Sequence, residues 1–201
     1  MRTGTATKFN PGYCTDNELE RVEGCYENFA NFILEHGGWN GKIVDIGKDN
    51  PKRRFLEKYL EVEIETVDYS DFNFDVINFE ADCILCFEVI EHLQNPLWFM
   101  KQLAQNMKSD TILYLSTPNR PQVMRWNPRH FREYKPQELI DWLLNPASLR
   151  VENMAKIEAL KIKWVSFLTG IRPLIRIIPQ FLWGGKTQIY KIVKDIDTFL
   201  E

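Results

Sequence analysis

Three short stretches of the chain put acidic and ring side chains where a ligand can meet them. In Val44-Asp45-Ile46-Gly47 a carboxylate stands two residues ahead of a glycine. Asp45 can accept hydrogen bonds from a cationic amino group, and Gly47 lets backbone approach a ligand closely. Asp68, followed by Tyr69, ends a second run of alternating polar and apolar residues. One carboxylate in such a position can take both hydroxyls of a ribose. The third stretch, Phe87-Glu88-Val89-Ile90-Glu91-His92-Leu93, offers an apolar wall in Phe87 and polar groups in Glu88 and His92. Against these uses, Glu88 can simply cap a following helix, and His92 can be a structural histidine. His130 lies farther on, in a loop-like segment among arginines, and the ordinary pKa of an imidazole, about 6.5, suits a general base for a hydroxyl acceptor. Cys83 and Cys86 have redox-motif spacing but lie in a strand-like run, where residues three apart point to opposite faces. No second ligand pair completes a zinc set, so no metal site is expected.

These residues need elements to hold them. A helix is expected from Thr15, whose hydroxyl forms a capping box with Glu18, to residue 36. Its apolar stripe is Leu19, Val22, Tyr26, Phe29 and Ile33, and Gly37-Gly38 ends it. Strands are expected over Lys42–Ile46, Glu63–Asp68, Asp82–Val89 and Thr111–Ser116. Helices are expected over Pro51–Leu60, from Asn95-Pro96 to about Met107, and from Pro136 to about Leu144. Two last strands, Arg150–Ile157 and Gln188–Val193, are expected to pair antiparallel at an edge. Strands that alternate with helices and are continuously apolar indicate an α/β fold with a mostly parallel sheet covered on both faces. Ligands then bind beyond the carboxyl ends of the strands. Asp45, Asp68, Glu88 and Ser116 all fall there.

Composition sets the outer limits. The 201 residues, 44% of them hydrophobic, suffice for one domain with a real core, and residues 1–201 are read as one. Four cysteines are too few for a disulfide scaffold, and Met1–Thr5 lacks the apolar run of a signal peptide, so a reduced, cytoplasmic setting is expected. The net charge of −3 argues against nucleic acid as a partner. That charge is unevenly spread: residues 1–149 carry −7 and residues 150–201 carry +4. A second basic excess, Arg120, Arg125, Arg129, Arg132 and Lys135, is either a solvated loop or a site for an anionic substrate.

Val44-Asp45-Ile46-Gly47, Val67-Asp68 and Cys86-Phe87-Glu88-Val89-Ile90-Glu91-His92-Leu93-Gln94-Asn95-Pro96 resemble the motifs of class I S-adenosylmethionine-dependent methyltransferases. Leu115–Asn119 and His130–Tyr134 fit the small-molecule branch of that family. The resemblance covers roughly residues 20–157 and the final strand. It implies a Rossmann-like doubly wound sheet, S-adenosylmethionine as cofactor with S-adenosylhomocysteine as product, and a small-molecule acceptor. Carried over, Asp45 and Gly47 would line the methionine end, Asp68 with Tyr69 the ribose, and Phe87 and Glu88 the sulfonium and substrate. Glu88, His92 and His130 are the candidate catalytic groups.

Two departures stand out. Asp49 occupies the position of the second glycine of the family's loop, and Pro51 follows. From Asp68 to Cys83 there are only 15 positions, where the family has a helix and a strand. The adenine side of the pocket is therefore either abbreviated or built from Asp71, Asn73 and Asp75 in extended backbone. Both departures also suit an alternative, a binding or scaffold protein of the same fold without catalysis. An insertion is expected over residues 158–187. Trp164–Trp183 has membrane length, but Arg172 and Arg176 fall inside it and Pro173 and Pro179 break it. Three readings stay open for it: a lid or substrate wall, a homodimer surface, and contact of residues 161–186 with a membrane surface through Lys161, Lys163, Arg172, Arg176 and Lys186.

Overall fold

The computed structural model describes residues 16–37, 40–69, 71–119, 129–158 and 186–195. Helix α1 spans Asp16–His36 and precedes β1 (Ile43–Ile46), α2 (Pro51–Leu60), β2 (Ile64–Val67) and β3 (Cys83–Phe87). A 3-10 turn at Ile90–His92 leads into α3 (Pro96–Asn106) and β4 (Ile112–Pro118). After α4 (Pro136–Leu139) come β5 (Leu149–Glu158) and β6 (Lys186–Lys194). The sheet runs β2-β1-β3-β4-β6-β5. The first four strands are parallel and the last two pair antiparallel, as the sequence predicts.

Side-chain alternation divides the core into two layers. Ile43, Cys83, Leu85, Phe87 and Tyr114 pack with Tyr26, Phe29 and Ile33 of α1 and with Leu56 and Leu60 of α2. Val44, Ile46, Ile84, Cys86, Leu113 and Leu115 pack with Phe99, Met100 and Leu103 of α3 and with Leu139, Leu143 and Leu144. Helices therefore cover both faces, and the direction of winding reverses between β1 and β3. Cys83 and Cys86 fall in opposite layers, both as free thiols, as their three-residue spacing in a strand requires.

Three elements differ from the expectation. The strand predicted to reach Val89 stops at Phe87, because Glu88 adopts a left-handed backbone with φ 57°. The helix predicted from Pro136 to Leu144 is α-helical only to Leu139. It widens to π geometry over Ile140–Leu144 and tightens to 3-10 over Asn145–Ala147. Pro146 supplies a reason: it has no N–H to give and its ring crowds the carbonyl one turn back. Finally, residues 71–79 form neither helix nor strand, so the cofactor-side segment is abbreviated. It is a turn rather than extended backbone: Asp71 accepts from the Asn73 amide at 2.8 Å, and Asp75 from the Asp71 amide at 2.8 Å. Asn73 Oδ1 in turn accepts the amides of Gln94 (2.7 Å) and Asn95 (3.0 Å), tying the turn to the start of α3.

Thr15 and residues 159–185 lie outside the described residues, as do Arg120 and Arg125. The predicted capping box and all three readings of Trp164–Trp183 fall there. Among the described residues no helix is long and apolar enough to cross a membrane.

Candidate active site

The βα turn after β1 carries the first group. Gly47 has φ 136°, a conformation that L side chains rarely adopt, and its N–H donates to the Val67 carbonyl at 2.9 Å. That bond sets the ends of β1 and β2 side by side, with Asp68 next in the chain. A Cβ built on Gly47 would meet nothing within 4 Å, so the backbone there borders open space. Asp45 is 8% exposed, and its carboxylate has neither a hydrogen-bond donor nor an ion pair among the described residues. Burial pushes its pKa up to about 7, against the opposing pull of the Arg53 and Lys52 charges.

The second-glycine position is occupied by a compensated charge. Asp49 accepts from Arg53 Nε at 3.1 Å and Nη2 at 2.9 Å, and these bonds hold its carboxyl below the usual range. Asn50 caps α2: its Oδ1 accepts the amides of Lys52 (2.9 Å) and Arg53 (3.2 Å). Arg53 also donates to the Ile64 carbonyl, anchoring the start of β2. Asp68 is exposed, with Lys48 Nζ 3.9 Å away. The Tyr69 hydroxyl is committed to the backbone of Asn78, donating to its carbonyl and accepting from its amide, both at 2.9 Å.

A second group gathers beyond β3 and β4. Phe87 packs on Phe29 (4.9 Å between centroids) and Tyr26 (6.3 Å), forming the apolar wall from beneath α1. Glu88 accepts from the Ser116 hydroxyl at 2.8 Å, and burial raises its pKa. Glu91, passed over as a site residue in the sequence, is 1% exposed and accepts from Thr117 Oγ1 at 3.2 Å. Its pKa is raised by burial and by the neighbouring Glu88 and Glu133 charges. The Glu91 carbonyl accepts the amides of Phe131 (2.7 Å) and Arg132 (3.3 Å), which pins the His130 segment over the 3-10 turn.

The two histidines meet there, with ring centroids 4.8 Å apart. His92 Nδ1 lies 3.0 Å from the Arg129 carbonyl, so that nitrogen carries the hydrogen and donates; burial lowers the ring's pKa. His130 Nδ1 lies 2.7 Å from Glu133 Oε1, a partner absent from the sequence reading, although the three-residue spacing was visible. A carboxylate on Nδ1 fixes the tautomer and leaves Nε2 as the basic nitrogen. Glu91, His92 and His130 each bring a ligand-type atom within 4.8 Å of the others, a spacing that a divalent ion can bridge. The partly exposed Arg132 guanidinium stacks 4.2 Å over Trp142 and lies 4.0 Å from Glu138.

Comparison with known proteins adds three findings. A family model described as a methyltransferase domain matches residues 24–161. The ubiquinone biosynthesis O-methyltransferase of Rickettsia typhi is 25% identical over 166 residues, covering 69% of this chain and 64% of that protein. That of Rickettsia bellii (strain OSU 85-389) is 28% identical over 172 residues, covering 73% and 68%. The chain thus spans about two thirds of the length of these curated relatives. In fold, it resembles an O-methyltransferase from a trans-AT PKS multienzyme of Brevibacillus brevis, solved with S-adenosyl-L-homocysteine. The TM-score is 0.55 at 14% identity, covering 89% of this chain and 73% of that one.

Proposed function

Because the chain belongs to the methyltransferase-domain family, the class I S-adenosylmethionine-dependent methyltransferases, we propose that it methylates a hydroxyl of a small molecule. The observation that carries this reading is the open cradle at Gly47, flanked by the carboxylate of Asp45, which has no donor among the described residues, and by Asp68 just past the neighbouring strand. S-adenosylmethionine, when bound, supplies a methyl group on a sulfonium, activated for in-line displacement.

The chain's own part is to bind, orient and move one proton. Asp45 suits the cofactor's ammonium group, and Asp68 the ribose hydroxyls. Phe87 walls the pocket with an aromatic ring, and Glu88 contributes a second, partly buried carboxylate near the positive sulfur. His130 Nε2 takes the proton that the acceptor hydroxyl loses as its oxygen gains the methyl group. Glu133 holds Nδ1–H and stabilises the resulting imidazolium. Most of the acceleration then comes from holding the two reacting atoms in line. The names of the curated relatives support an oxygen acceptor. Arg129 and Arg132, on either side of His130 in the chain, favour an acceptor that is anionic or linked to a lipid.

Calorimetry with S-adenosylhomocysteine tests this reading. The chain is expected to bind it, and Asp68→Ala to weaken binding by about 1–3 kcal/mol through loss of charge-assisted hydrogen bonds. No binding at millimolar ligand would leave the scaffold alternative standing; unchanged affinity in the variant would remove Asp68 from the ribose role.

A further inference from the structure

The methionine end of S-adenosylmethionine is a zwitterion, and the pocket around Gly47 is built chiefly for one half of it. Asp45 and Glu88 offer carboxylates to the ammonium and sulfonium charges, but a carboxylate entering the same space needs a positive partner. Backbone cannot supply it at the start of α2. Pro51 has no N–H, and the next two amides, of Lys52 and Arg53, are both spent on Asn50 Oδ1. A full positive charge can come only from a side chain.

Four cations lie on residues 48–54, and three have ion-pair partners. Lys48 is 3.9 Å from Asp68; Arg53 is held by Asp49 and Glu57; Arg54 is 3.9 Å from Asp49. Lys52 has no ion pair or side-chain hydrogen bond among the described residues. Its Nζ lies 5.5 Å from the centroid of Tyr26 on α1, a cation–π contact that holds the ammonium without neutralising it. Tyr26 stands against Phe87, so the contact sets Lys52 beside the wall of the proposed cofactor pocket. Asp45 shares that side of the sheet, since Ile43, two residues earlier, packs in the layer of α1 and α2. The Lys52 charge is felt at Asp45, Glu88 and His92.

We propose that Lys52 anchors the carboxylate of the cofactor's methionine end, so that Lys52 and Asp45 together recognise an α-amino-acid zwitterion. This rests on the S-adenosylmethionine reading above. It also supplies positive charge three residues beyond the position where Asp49 replaces a glycine.

The test compares two ligands that differ only at that end. S-adenosylhomocysteine carries the amino-acid group, and 5′-methylthioadenosine keeps the nucleoside and thioether without it. Calorimetry on the full chain should show Lys52→Met weakening S-adenosylhomocysteine about tenfold or more, with 5′-methylthioadenosine changed less than about twofold. Lys52→Arg keeps the charge and should retain most of the affinity. Equal losses for both ligands, or no loss for S-adenosylhomocysteine, would overturn the proposal. A wild-type chain that binds neither ligand would overturn the cofactor reading itself, a result that no comparison of variants can mimic.

Discussion

A carboxylate that is 8% exposed, with no donor among the described residues, favours its neutral form, and at Asp45 this sets a pH dependence. Its folded pKa of about 7 stands above the unfolded value of about 3.9. Between those values the folded chain binds more protons than the unfolded one, so stability falls as pH rises from about 4 to about 7 and then levels off. Each unit is worth about 1.4 kcal/mol, so Asp45→Asn is expected to stabilise the ligand-free chain at pH 8 by on the order of 2–4 kcal/mol. At pH 5 the gain should be smaller. Thermal melts at the two pH values check this, and a variant that melts lower than wild type at pH 8 contradicts it. Glu88 and Glu91, raised by the same burial, keep some slope in the variant. The His130–Glu133 pair makes a kinetic statement instead. His130→Ala should slow turnover by about a hundredfold or more and leave cofactor affinity alone. Glu133→Gln should lower kcat less, at similar KM, since it weakens a support rather than removing the base. An undiminished rate in His130→Ala would rule the ring out as base.

At the level of elements, the turn from β1 to α2 is where backbone conformation matters most. A methyl group on Gly47 would meet nothing, so Gly47→Ala isolates the conformational cost of φ 136°, roughly 1–3 kcal/mol of stability by chemical denaturation. A neutral result would mean that the turn relaxes. The glycine itself was readable in the sequence only in company: Asp-x-Gly alone is a weak signal, and the Glu88–Leu93 segment farther on gave it meaning. The left-handed Glu88 was not: a Glu-Val pair at the end of an apolar run reads as more strand, and only the Ser116 contacts at the tip of β4 reveal the bend. The mostly parallel character of the sheet followed from strands, most of them continuous apolar runs, alternating with helices. The breakdown of the helix after Leu139 did not, although Pro146 was in view, since periodicity alone cannot say how far back a proline disturbs a turn. Glu133 and Lys52 were missed for a different reason. Each matters through a partner, His130 or Tyr26, and the latter partner is brought near only by the packing of α1 on α2.

For the molecule as a whole, the short stretch between Asp68 and Cys83 leaves β2 as an outer strand of the six, with the turn at residues 71–75 latched to α3. The mostly parallel, doubly wound sheet was implied by the resemblance to the family and by the rule that parallel strands need crossovers; the order of the strands and the latch through Asn73 were not. The two-layer core has a kinetic consequence. Cys83 and Cys86 are neighbours on one strand yet belong to different layers, and burial raises both thiols. They are a pair of built-in clocks, one for each side of the sheet. With the other cysteines replaced by serine, single-thiol variants exposed to a fast alkylating reagent in mild denaturant time the opening of each layer separately. If the sheet opens as one unit, both thiols react at one rate. If α1 detaches first, Cys83 reacts ahead of Cys86, and the wall of the candidate pocket loosens before the rest of the molecule.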